Sequence, residues 1–135
     1  EVAFQPPEGA APWATESVRA PRCERRIEID EATGTVTVTV VNDFGAERDL
    51  AHGLETGSET KETWIIHPDD PLSARGDITW TQTLSRDAWS VRTETASSMW
   101  CDAENFYLTG RIEAFERNSL VFSRDFAETV PRDNL

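Results

Sequence analysis

An all-β fold of seven or eight antiparallel strands, closed as a barrel or curled into a sandwich, is what this 135-residue sequence predicts. Three observations carry that expectation. Apolar side chains recur at every second position over long runs, the signature of half-buried strands. Short Gly-, Asp- and Asn-bearing turns separate the runs. No stretch carries a helical period over more than two turns.

The elements follow in order. Residues 1–22 hold four of the seven prolines and show no period, so they predict an extended linker or strap, with Phe4 and Trp13 touching the body. Residues 23–135 then form one β domain. Arg26–Asp30 alternates, Glu31-Ala32-Thr33-Gly34 turns, and Val36, Val38 and Val40 alternate with threonines, which predicts a hairpin. Residues 46–58 fit either a short helix or an irregular connection with one weak strand. Thr60–His67 returns to strand character. His67–Ala74 carries two prolines and two aspartates and predicts a loop. Two further strands follow, with Ile78, Trp80 and Leu84 on the first and Trp89, Val91 and Met99 on the second, joined by a turn at Ser85-Arg86-Asp87.

The strongest pattern is Asn105–Ala127. Phe106, Leu108, Gly110, Ile112 and Ala114 share one face, Thr109, Arg111 and Glu113 the other, and Asn118 suits the intervening turn because its side chain tolerates positive φ. Val36, Val38, Val40, Ile78, Trp80, Trp89, Val91, Phe106, Leu108, Ile112, Leu120 and Phe122 are the expected core. Gln82 points to the same side, as a bonded core amide or as a polar group in a cavity. Trp100, Tyr107 and Phe115 fall on the opposite, outward face of neighbouring strands and are the candidate docking patch.

Composition narrows the function. A net charge of −12 leaves no basic face to meet phosphates, which excludes nucleic acid and disfavours an anionic membrane surface. No apolar run reaches the roughly 18 residues that a spanning helix needs. Cys23 and Cys101 fit one bridge or two free thiols; the free thiols, favoured here, point to the cytoplasm.

Signatures of catalysis are missing. There is no Gly-x-Ser-x-Gly elbow, no His-Glu-x-x-His pair, no phosphate-cradling glycine loop and no Cys-x-x-Cys. His67, beside Asp69 and Asp70, could suggest an acid–base or metal cluster, but adjacent residues rarely converge on one ion, so both aspartates are read as shaping the turn. His52 is read as a loop histidine, and Glu113 and Glu116 as a solvated edge. No catalytic, metal or cofactor residue is assigned, and the chain alone is not expected to turn over substrate.

Four segments together, AHGLETGS (51–58), HPDDPLSARG (67–76), WTQTLSRDAWSVRTET (80–95) and DFAETVPRDNL (125–135), resemble the extreme C-terminal region of bacterial hydrolases of the X-Pro dipeptidyl-peptidase and cocaine-esterase family. In that family an α/β-hydrolase domain with a Ser-His-Asp triad precedes a β-rich jelly roll. Longer members append a further β region, and the resemblance to that appendage runs from about Cys23 to Leu135. It implies a non-catalytic accessory domain serving docking, oligomerisation or shaping of the active-site approach. Its partners would be the rest of the hydrolase chain or a second copy. A small-molecule-binding β-barrel is the alternative. The absent initiator Met and the Pro-rich start fit a piece cut from, or processed out of, a longer chain.

Overall fold

The computed structural model describes residues 8–133 and contains eight strands in one antiparallel sheet. They are β1 (Thr15–Arg19), β2 (Arg22–Ile29), β3 (Val36–Asp49), β4 (Glu55–His67), β5 (Asp70–Arg86), β6 (Trp89–Cys101), β7 (Asn105–Glu116) and β8 (Ser119–Pro131). From β3 to β8 each strand pairs with the next, a plain meander. β1 and β2 both lie along the free side of β3, β1 against Ala46–Asp49 and β2 against Val36–Asp43. The sheet ends on β8 at its other edge and does not close into a barrel.

The all-β antiparallel expectation holds, and so does the strand count. Within the segment read as a linker or strap, Thr15–Arg19 pairs with β3. Trp13 is 76% exposed, its ring edge-on to His52 at 6.4 Å, while Phe4 lies outside the described residues. Residues 46–58, unreadable in sequence, complete β3, turn, and open β4. The loop expected over His67–Ala74 is instead a tight turn at Pro68-Asp69, with Pro71 inside β5. Proline removes a ladder donor, but the register is irregular here and Ser73 ties the turn together with its side chain. Its Oγ accepts from the His67 amide at 2.7 Å and donates to the Asp70 carbonyl at 2.6 Å.

Gly45 sets the edge geometry. Between Asp43 and Ala46, β3 carries one more residue than β4, a bulge, and Gly45 sits there at φ 79°. A Cβ on it would lie 2.4 Å from the Arg19 carbonyl oxygen, so only glycine lets β3 pass the point where β1 gives way to β2. Buried Asp43 completes the joint, accepting from the Gly45 amide at 2.9 Å and pairing with Arg19.

The turns correct one assignment. In the β7–β8 turn the left-handed residue is Arg117 at φ 55°, not Asn118, and Asp87 takes the same role at φ 53° between β5 and β6. The Arg117 amide donates to the Ser90 carbonyl at 2.8 Å, a bond reaching across to β6 that fixes this backbone whatever the local preference.

The expected core does not exist as a buried one. Among the described residues no apolar side chain is buried, and only Thr39 and Asp43 of the polar ones are. Eleven of the twelve residues expected in the core do share one face, as alternation and register require, but that face is bare. Leu120 is the exception. An extra residue in β8 breaks the register between Ala114 and Phe115, so Leu120 pairs with Phe115 while Phe122 pairs with Ala114.

Candidate docking face

The register sorts the side chains onto two chemically distinct faces. One carries i,i+2 charge pairs along β2, β5, β6 and β7, positions that point the same way. Arg75 donates to Asp77 at 2.7 and 2.8 Å, Arg92 to Glu94 at 2.6 Å, and Arg111 to Glu113 at 2.7 Å. Asp77 also accepts from the Ser98 hydroxyl, and these donors, Arg75 first, hold its carboxyl below the usual carboxylate range. Exposed pairs of this kind add little stability. They do give this face matched charges and a solvated character.

The predicted patch lies on this charged face and comes together only in part. Trp100 and Tyr107 are direct cross-strand partners, stacked at 5.6 Å and 19°. The Tyr107 hydroxyl donates to Asp102 at 2.6 Å and Arg75 covers Trp100 at 5.2 Å. Phe115 lies eight residues further along β7, roughly 26 Å away at the usual rise per residue. There it sits under Arg92 at 4.2 Å. The three side chains therefore do not merge into one surface, and Trp100 and Phe115 are each already covered by an arginine.

The other face is where unmet apolar surface collects. In one row Ile29, Val36 and Ile66 stand side by side, and in the next Ile27, Val38, Trp64, Gly76, Met99 and Leu108. Ile78, Trp80, Ile112 and Phe126 continue it obliquely across the sheet. Trp64, Trp80, Met99 and Phe122 are each between 42 and 49% exposed. The indole donors are satisfied within the sheet, Trp64 Nε1 by Glu62 at 3.1 Å and Trp80 Nε1 by Ser58 at 2.7 Å. What remains open is ring and alkyl surface.

Two hollows mark this face. One of about 300 Å³ lies between Trp64, Met99 and Phe106, floored by Val36, Val38 and Gly76. A Cβ on Gly76 would stand 2.8 Å from Trp64 Cζ3, so the glycine lets the indole lie flat over β5. The other, about 550 Å³ and mixed in lining, runs past Phe44, Glu47, Ser58 and Leu84. Gln82 lines it in the open and is not a buried amide.

Neither histidine joins a reactive cluster. His52 accepts from the Leu54 amide at 3.3 Å and faces Asp49 at 3.2 Å; His67 accepts from the Asp69 amide at 3.2 Å. They belong to turns at opposite ends of β4. Cys23 and Cys101 are free thiols. Among the described residues no group of three or more His, Cys, Asp or Glu could hold a metal ion, and no helix is long and apolar enough to cross a membrane. The signal for the bare face was present in the sequence as alternation, but it read as a core.

No family model matches the chain, and neither does any curated protein or solved structure.

Proposed function

We propose that this chain is a non-catalytic β domain of a bacterial hydrolase polypeptide of the X-Pro dipeptidyl-peptidase kind that it resembles, and that it docks on the hydrolase body through its apolar face. One observation carries the reading: a folded sheet in which no described apolar side chain is buried. Its accessible surface is 10265 Å². A compact protein of 15.1 kDa would expose roughly 7,100 Å². The exposed lead-in Glu8–Trp13 takes a share of the excess, and a sheet one layer thick leaves both of its faces open. Surface of that size and chemistry marks a contact, and a stable interface needs only about 800 Å² per partner. The barrel alternative needs an enclosed lumen, and the sheet is open at both edges.

The test replaces Trp80 and Ile112 with Asp in the hydrolase polypeptide and follows limited proteolysis and turnover. Faster cleavage at residues 8–14, with altered KM or kcat, is the expected outcome. Unchanged protection and kinetics would remove the docking role from this face.

A further inference from the structure

We propose that the hollow between Trp64, Met99 and Phe106 is the anchor pocket of the docking face, and that its occupant is a large aromatic side chain ringed by arginine or lysine on the hydrolase body. The inference rests on the docking reading and specifies what the partner surface must look like. The hollow has about 300 Å³, at the lower limit for ligand sites, and opens to solvent along one side. A free small molecule there would keep much of its surface in water. An anchor side chain is covered on its remaining sides by the surface that carries it, which is how interface hot spots are built. The lining suits a ring: the Trp64 indole, the Met99 thioether and the Phe106 ring offer apolar and sulfur–aromatic contacts.

Charge specifies the rest of the partner. The hollow lies at the sheet end where three turns meet, β2–β3, β4–β5 and β6–β7. Those turns carry Asp30, Glu31, Asp69, Asp70, Asp102 and Glu104, which makes this end of the sheet acidic, while the one charged residue in the lining itself is Arg75. Arg75 is paired with Asp77, and Arg132 bonds the Asp102 carbonyl and lies over the Phe106 ring. An apolar hollow at an acidic end of the sheet favours a basic surround and repels an acidic one. A second copy would bring another net −12 against the same acidic end, so self-pairing of this face is disfavoured.

Met99 is the only methionine, so a methyl-labelled sample gives one NMR signal located in the hollow. The probes are blocked pentapeptides: tryptophan between two arginine pairs, the same with glutamate pairs, and the arginine peptide with alanine at its centre. Saturable movement of the Met99 signal by the first, about tenfold tighter than by either control and weakened by added salt, is the expected result. The Glu31→Gln/Asp69→Asn/Glu104→Gln chain, which leaves Asp30, Asp70 and Asp102 in their turns, should bind the first peptide several-fold more weakly. Equal response to the arginine and glutamate peptides, or no response to any, would overturn the proposal. So would a signal that moves with chain concentration while the mass doubles, which would make a second copy the occupant. Shielding of the whole face in the hydrolase polypeptide, with no peptide discrimination, would remove this partner chemistry and leave the docking reading standing.

Discussion

Asp102 holds the β6–β7 turn from both ends. It accepts from the amides of Glu104 and Asn105 at 2.8 and 2.7 Å and from the Tyr107 hydroxyl. The Tyr107 bond, then those amides, holds its carboxyl below the usual range, while the Asp102 bond raises the Tyr107 phenol. A depressed carboxyl contributes stability that is present above its unfolded value near 4 and lost as pH falls through the folded one. A raised phenol contributes stability that is present below its unfolded value near 10 and lost as pH climbs through the folded one. Tyr107→Phe should therefore move the Asp102 carboxyl upward, read by carboxyl-carbon NMR titration, and abolish the alkaline loss in this turn. An Asp102 titration unchanged by the substitution would show that the hydroxyl bond is not formed in solution. Residue-scale legibility was uneven. Alternation put Trp100 and Tyr107 on a common outward face, but their direct pairing depends on register, which alternation does not supply. Pro71 was read as a loop residue because the sequence does not announce that Ser73 would brace the turn from His67 to Asp70.

At the scale of the strands, Gly45 is the position least open to change. Gly45→Ala combines a left-handed backbone with a 2.4 Å approach to the Arg19 carbonyl and should cost about 2 kcal/mol or more. A denaturant midpoint equal to that of the wild-type chain would show that β1 does not cross here. Phe122 makes the opposite case. A buried Phe truncated to Ala costs about 3–5 kcal/mol, but an open-face residue loses only cross-strand contacts, about 1 kcal/mol or less. With Phe122 49% exposed, Phe122→Ala in the separate chain should fall in the lower range, read from the unfolding midpoint, and a loss above about 3 kcal/mol would mean the face is covered. Strand identity was legible from β2 to β8, save residues 46–58 and the start of β5, because period two is a local property of the chain. The bulges at Phe44-Gly45 and Leu120-Val121 were not, since each exists only relative to the partner strand.

For the molecule as a whole, alternation says which side chains share a face and not whether anything lies over them. That is why a face of valines, isoleucines and tryptophans read as a core and turned out bare. A second sheet would have been needed to bury it, and all eight strands are spent on the first. The opposite face, with its arginine–carboxylate pairs, is finished against water and asks for no cover. The proposed cover for the apolar face is the hydrolase body. Hydroxyl-radical footprinting of the separate chain and of the hydrolase polypeptide, read residue by residue by mass spectrometry, tests it most directly. Strong labelling of Trp64, Trp80, Met99 and Phe122 in the separate chain, falling several-fold in the polypeptide while Tyr107 and Phe115 stay unchanged, is the predicted result. Equal labelling of those four residues in both samples, or protection confined to Tyr107 and Phe115, would contradict it.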